Sequence, residues 1–310
     1  MRVAFPRTST ATRWIRTHSS GSSRSRTRRE AVTPRVGVVG PGALGTALAG
    51  VLRSGGLEVV VRGRGERGAG GRPLDLVLLC TKSHDVEGAL ETAAPLVGPE
   101  TLVATLQNGI GSFERVLARF GPERAVAGAT TEAACRDERG ELRHTARGRT
   151  RLAPAGPLAL QRLERCVPAL RRAGLDVEIA PDPVALVWSK LIVAAAILPV
   201  TALLGLPNGA IAGPGPAAQL AAQAAREAAR VAVVSGTMES TPAHAACERV
   251  REVASRTANN RSSMLCDLEA GRRTEIDAIS GEVARRAQAL GLEAWCNWTL
   301  WQLVRARERR

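Results

Sequence analysis

Residues 35–63 read RVGVVGPGALGTALAGVLRSGGLEVVVRG. A short β-branched run feeds a glycine-rich turn, an Ala- and Leu-rich stretch follows, and a Val-rich run closes the segment, which predicts strand, turn, helix and strand. Gly40, Gly42 and Gly45 stand at the fingerprint spacing of a dinucleotide turn. The first glycine permits the tight turn, the second lets backbone approach a pyrophosphate, and the third lets helix pack closely on strand. With Pro41, Ala43 and Leu44 between them, residues 40–45 are the candidate phosphate cradle, facing the N-terminus of the following helix. A glycine turn that merely packs two elements is the alternative, and the placement between a predicted strand and a predicted helix argues against it.

The end of the second strand bears on which cofactor is expected. An acidic residue there suits a ribose 2′-hydroxyl, whereas Arg suits a 2′-phosphate. The chain has Arg62, followed by Arg64, which favours NADPH over NADH. Two more apolar runs, LDLVLLCTK and TLVATLQNG, end near Lys82 and Asn108. The carboxyl ends of such strands line the ligand crevice of a doubly wound sheet. Lys82 is thus a candidate for anionic groups and Asn108 for a ribose or substrate oxygen. Each also reads as a loop residue before a helix, and Asn108-Gly109 is an ordinary turn dipeptide.

Lysine usage singles out the same regions. The chain has 41 arginines and only two lysines, Lys82 and Lys190. Arg stays protonated at any working pH, while a Lys ammonium can give up a proton and responds to burial, so both lysines are candidates for chemistry.

Length and composition set the outer bounds. With 310 residues, 45% hydrophobic and 23% charged, the chain is expected to form about two domains with a substantial core. The formal charge is +14, and residues 1–30, with eight Arg and one Glu, carry half of it. That Arg-, Ser- and Thr-rich leader, 1–34, is expected to be disordered; a transit peptide and an upstream extension both fit its composition. The remaining charge is spread out, without aromatic interleaving or a zinc-finger pattern, so no nucleic-acid partner is expected. Cys80, Cys135, Cys166, Cys247, Cys266 and Cys296 show no CxxC pair and no metal-ligand spacing. They read as reduced core thiols of a cytoplasmic protein without a metal site. The richest apolar run, Leu186 to Leu206, is interrupted by Lys190 and Pro199, so no membrane span is expected.

A second strand cluster is expected around RHTARGRTRLAPAG and a helix from about Leu158 to Ala173. From Pro183 onward the chain reads as helical. The expected architecture is therefore α/β: a shortened, Rossmann-like doubly wound sheet over 35–182, followed by an all-α domain over 183–310.

Five segments, GPGALG, TKSHD, LQNGIG, WSKL with the downstream PNG, and SSML with GRRTEID, run collinearly from about Val36 to the C-terminus. Together they resemble the ketopantoate reductase family, the 2-dehydropantoate 2-reductases. The resemblance implies NADPH-dependent reduction of 2-dehydropantoate to (R)-pantoate, on the route to pantothenate and coenzyme A, in a cleft between a Rossmann and a helical domain. It makes Lys190 the proton donor and a substrate ligand, and Asn108 a contact to cofactor and substrate. Arg62, Lys82 and Ala134 become cofactor contacts, Asn208 and Ser263 substrate contacts, and Glu275 a cofactor contact from the helical side. Read without the resemblance, Ser262 and Ser263 are also plausible helix caps, Glu275 a first-turn carboxylate and Asn208-Gly209 a turn.

Three departures accompany the resemblance. The family usually has Asn four and eight residues after the catalytic Lys; here Ala194 and Leu198 stand there, so weaker binding of 2-dehydropantoate is expected. Only 12 residues separate Arg62 from Asp75, which implies a sheet lacking an edge strand. A Pro usual before the C-terminal Asn motif is absent around Trp295 to Asn297. Two other readings stay open: a reductase of another branched 2-oxo acid, and a nucleotide-binding homologue without turnover. Monomer and homodimer are both compatible with the sequence. Trp295, Trp298 and Trp301 are expected to pack one helix face, a partner surface being the alternative.

Overall fold

The structure, a computed structural model, describes residues 33–66, 72–136, 139–239 and 243–308. All of the basic leader but Thr33 and Pro34 lies outside the described residues.

The opening segment folds as its pattern dictates. Strand β1 (Val36–Val39) leads through the glycine turn into α1 (Ala43–Ser54) and then β2 (Val59–Arg62). The chain continues through β3 (Leu76–Leu79), α2 (Val86–Ala93), β4 (Leu102–Thr105), α3 (Ser112–Phe120) and β5 (Ala125–Thr130). A hairpin of β6 (Ala133–Arg136) and β7 (Leu142–Ala146) forms a separate sheet. Strand β8 (Arg149–Pro154), helix α4 (Pro157–Arg172) and strand β9 (Asp176–Ile179) complete the first half.

The main sheet has seven strands in the order β2-β1-β3-β4-β5-β8-β9. Strands β1 to β5 run parallel, β8 pairs antiparallel to β5, and β9 pairs parallel to β8. Alternating side chains commit each strand to both faces. Val36, Val38, Leu76 and Leu78 pack with α1 and α4, while Val39, Val77 and Leu79 pack with α2 and α3. Strands covered on both sides read as near-continuous apolar runs, as these do. Strand β2 forms one edge of the sheet, and no strand occurs among the described residues between β2 and β3, in keeping with the short connection.

Helix α5 (Pro183–Leu204) opens the helical half. Its start is over-determined: the Asp182 carboxylate accepts from the backbone N–H groups of Val184 (2.8 Å) and Ala185 (3.0 Å), and Pro183 takes the first helical position. Gly205, at φ 69°, ends the helix in the left-handed region, before a short 3₁₀ turn at Asn208–Ile211. By length and composition α5 is apolar enough to cross a bilayer, so Lys190 and Pro199 do not interrupt the run as the sequence reading supposed. In the fold it is instead the central core helix, with Trp188, Leu191, Ala195 and Val200 packed among the helices that follow. These are α6 (Pro216–Val234), α7 (Ala243–Arg256), α8 (Ser263–Glu269), α9 (Ser280–Ala289) and α10 (Trp295–Glu308). Helix α5 also packs on β5, so one element belongs to both halves.

The start of α10 accounts for the C-terminal Asn motif in structural terms. Buried Glu227 of α6 accepts from the backbone N–H groups of Cys296 (3.0 Å) and Asn297 (2.9 Å) and from the Asn297 side chain (2.9 Å). A carboxylate at a helix N-terminus satisfies orphan donors and complements the helix dipole. The three tryptophans do not act as one face. Trp301 stacks under Arg285 and donates to Asp277 (2.7 Å), whereas Trp295 and Trp298 are 64% and 46% exposed and meet edge-to-face.

Candidate active site

A cavity of about 2490 Å³ runs from the glycine turn, past the carboxyl ends of β1, β3 and β4, to the helical half. At its sheet end the turn provides bare backbone. Gly40 sits at φ +99°, a conformation that disfavours any side chain. A Cβ on Gly45 would collide with the Gly40 carbonyl oxygen, so this glycine is what lets α1 lie against the turn. The space a Cβ would take at Gly42 is open, and no side chain caps the start of α1. Uncapped N–H groups at a helix start, beside open space, fit a dinucleotide pyrophosphate. Gly40, Pro41, Gly42, Ala43 and Leu44 line the cavity, as does Ala134 on β6; Gly45 is buried behind them.

The Arg at the end of β2 lies off the cavity wall. Arg62 donates to the Val61 carbonyl oxygen (3.2 Å), and its side chain does not line the cavity. The next loop brings Arg64 to the wall, ion-paired to Asp85 at 2.6 Å, together with Glu66, which accepts from the Gly63 N–H at 3.1 Å.

Deeper in, four polar groups from both halves meet. Buried Glu275 accepts from the Ser83 N–H (3.0 Å) through one oxygen and from the Asn108 side chain (2.8 Å) through the other. Lys82 is ion-paired to Asp267, which is 3% exposed and also accepts from Arg272 (3.2 Å). Burial pulls the Lys82 pKa down, but Glu275 and Asp267 outweigh it and the net shift is upward. A strand-end Lys and a strand-end Asn are thus tied to carboxylates that lie far away in sequence.

Lys190 has a different environment. It sits half-buried on α5 and donates to the Leu106 carbonyl oxygen (3.3 Å). Burial lowers its pKa to about 8, only partly countered by Glu275 and by Cys80. Removal from water disfavours the charged form, and among the described residues no carboxylate is in direct contact to restore it. The Cys80 thiol beside it is pushed up to about 12 by burial, so it stays protonated and is no nucleophile. Beyond Lys190 the cavity-facing residues of α5 are Val193, Ala194, Ile197 and Leu198, an apolar stripe at helical spacing.

The opposite wall is polar. Asn208 is buried and donates to Thr257 (3.0 Å), while its Oδ1 has no partner among the described residues. Ser262 is the α8 cap, accepting from the Leu265 N–H at 3.2 Å, which leaves Ser263 exposed to the cavity. The structure therefore gathers Lys82, Asn108, Ala134, Lys190, Asn208, Ser263 and Glu275 around one cavity and leaves Arg62 outside it. Reading the sequence alone missed Asp267 and placed the cofactor contact on Arg62 rather than Arg64. Arg64 was visible beside Arg62, whereas Asp267 lies in an ordinary helical stretch and only its burial against Lys82 singles it out. All six cysteines are free, and only Cys166 and Cys247 are fully buried; Cys80, Cys135 and Cys266 line the cavity.

A doubly wound sheet, an open glycine cradle and a lysine-bearing helical half around one cleft define a dinucleotide-site oxidoreductase fold. Family models described as "Ketopantoate reductase PanE/ApbA" and "Ketopantoate reductase PanE/ApbA C terminal" match residues 66–157 and 184–308. A 2-dehydropantoate 2-reductase of Pyrococcus horikoshii is 32% identical over 301 residues, spanning 88% of this chain and 97% of the relative. The crystal structure of 2-dehydropantoate 2-reductase from Geobacter metallireducens matches with a TM-score of 0.77 at 27% identity, covering 88% of this chain and 99% of that one. A D-mandelate dehydrogenase solved with NADH and anilino(oxo)acetate shares the fold at a TM-score of 0.80 and 21% identity, covering 89% and 98%. The chain belongs to the ketopantoate reductase family, a family of oxidoreductases.

Proposed function

We propose that the chain reduces the 2-oxo group of 2-dehydropantoate with NADPH, giving (R)-pantoate, with Lys190 as proton donor. The observation that carries this reading is Lys190 itself: a half-buried ammonium with its pKa lowered to about 8, in the same cavity as the glycine cradle. The 2-dehydropantoate 2-reductases it resembles support the choice of substrate.

The uncapped start of α1 and residues 40–44 would hold the pyrophosphate, and Lys82, Asn108, Ala134 and Glu275, which line the same cavity, would contact the rest of the cofactor. When bound, NADPH supplies the hydride for the substrate C2. As the carbonyl π bond breaks, negative charge grows on oxygen, and the Lys190 ammonium stabilises that charge and then protonates it. Asn108 and Ser263 orient the 2-oxo acid, and Asn208 offers its unpartnered Oδ1 to a substrate hydroxyl. Glu275 fixes Asn108 by accepting from its amide. Residues 35–182 act as the nucleotide half and 183–310 as the helical half.

One observation favours NADH as a second reading. Glu66 lines the cavity beside Arg64 in the loop after β2, and a carboxylate there suits a free ribose hydroxyl. Following oxidation of NADPH and of NADH by the full chain with 2-dehydropantoate, beside Lys190→Ala, tests both points. Turnover with NADPH that the variant loses supports the proposal; turnover with NADH alone corrects the cofactor; turnover with neither rejects the function.

A further inference from the structure

Gln107 lines the cavity between Leu106 and Asn108 and is only 7% exposed. Its Nε2 donates to the Thr81 hydroxyl (3.3 Å), while its Oε1 has no partner among the described residues. A buried carbonyl oxygen without a donor is a standing cost to the fold, and in a native protein it calls for an explanation. The neighbouring groups are served: the Asn108 amide donates to Glu275, and the Leu106 carbonyl oxygen accepts from Lys190. Gln107, between them in the chain, keeps an acceptor in reserve.

The place of this acceptor says what it takes. Thr81, to which Gln107 is bonded, lies against the glycine turn: a Cβ on Gly40 would come within 2.7 Å of the Thr81 backbone nitrogen and of its methyl group. On its other side Gln107 adjoins Leu106, the residue that holds Lys190. Gln107 therefore stands between the pyrophosphate cradle and the acid. In a nicotinamide dinucleotide the segment that joins the pyrophosphate to the ring is a ribose, which brings two hydroxyl donors. Phosphate oxygens, a substrate carboxylate and a 2-oxo group are acceptors and have no proton to give a carbonyl oxygen. Resting on the cofactor and reductase reading above, we propose that Gln107 is a cofactor-binding residue whose Oε1 accepts from a hydroxyl of the ribose that carries the nicotinamide. Because that ribose is the ring's link to the pyrophosphate, the bond sets how far the ring reaches toward Lys190.

Gln107→Met keeps the length of the side chain and removes the acceptor. Calorimetric titration of the full chain and of this variant with three ligands reads the effect: adenosine 2′,5′-bisphosphate, which ends before the second ribose; 2′-phospho-ADP-ribose, which has that ribose and no nicotinamide; and NADPH. Should NADH prove to be the cofactor, AMP, ADP-ribose and NADH form the same ladder. The expected result is an unchanged Kd for the first ligand and a Kd raised by about tenfold for the other two, the loss of one buried hydrogen bond. Without ligand the variant should melt no lower than the parent, since an unsatisfied acceptor has left the interior. A loss confined to the complete dinucleotide means that the nicotinamide ring is read instead, and it overturns the ribose assignment. Weakening of all three ligands together with a lowered melting temperature makes Gln107 a structural residue, and unchanged affinity for all three removes it from the site; either result overturns the inference. The reductase reading fails separately: a parent that binds the dinucleotide and reduces no 2-oxo acid loses that reading, while the ladder of affinities still decides this one. A parent that binds neither dinucleotide sinks both.

Discussion

Lys82 and Lys190 occupy one cavity and titrate in opposite directions. Both are half-buried and both lose solvation, yet Lys82 is raised because Asp267 is in contact and Glu275 close by, while Lys190 falls to about 8 with a backbone carbonyl as its bonded partner. Burial alone does not decide what a buried amine does; the nearest carboxylate does. An ammonium locked in an ion pair serves as a fixed positive charge, and one held near neutrality serves as an acid.

The largest expected effect falls on the acid. Lys190→Ala should lower kcat for 2-oxo acid reduction by about 10²- to 10⁴-fold, and Lys190→Arg should not restore it, because Arg does not release its proton. Steady-state kinetics with saturating cofactor reads this directly; near-parent activity in either variant would remove Lys190 from the chemistry.

The pH profile sharpens the contrast. The rate of reduction should be level below about pH 8 and fall by about tenfold per unit above it, as the ammonium empties. Stability carries opposite signs at the two sites. Between about 8 and its unfolded value of 10.5, Lys190 is neutral when folded and charged when unfolded, so its contribution to stability rises with pH in that window. For Lys82, raised above 10.5, the contribution is full below 10.5 and is lost as pH climbs through the folded value. Urea denaturation of Lys190→Met and Lys82→Met across pH 7 to 11 separates the two slopes.

Smaller effects belong to the carboxylates. Asp267→Asn should cost roughly 1–2 kcal/mol of stability, less than a fully buried pair because Lys82 is partly exposed. The loss should shrink in a Lys82→Met background, which a double-mutant cycle measures. Glu275→Gln should cost least, about 1 kcal/mol, since an amide can still accept one of the two bonds from Ser83 and Asn108. Its activity loss should appear mainly as a raised KM for cofactor.

What was legible in the sequence was what the backbone dictates. The strand, glycine turn and helix over 35–63, the carboxyl-end placement of Lys82 and Asn108, and the start of the helical half at Pro183 each follow from local pattern, and the fold keeps them. The side-chain partners were not legible. Asp267 and Lys82 are 185 residues apart, and nothing at either position announces the other. Arg62 was favoured by its place at the strand end, but the strand stops there and the following loop turns Arg64 to the cavity instead. The tryptophans at three-residue spacing looked like one face. A helix of 3.6 residues per turn drifts along such spacing, so only Trp301 reaches the core.

The seam beside the site has a mechanical meaning. Ile110 donates its N–H to the Ala278 carbonyl oxygen (3.0 Å), and Gly109, at φ +90°, lets the two backbones touch where any Cβ would collide with Ala278. Glu275, three residues before Ala278, grips Ser83 and Asn108. Here the sheet and the helices are stitched backbone to backbone, like the spine of a book whose pages meet at Lys82 and Asp267. The page edge is held by a side-chain ion pair, the spine by main chain that no side-chain substitution can remove.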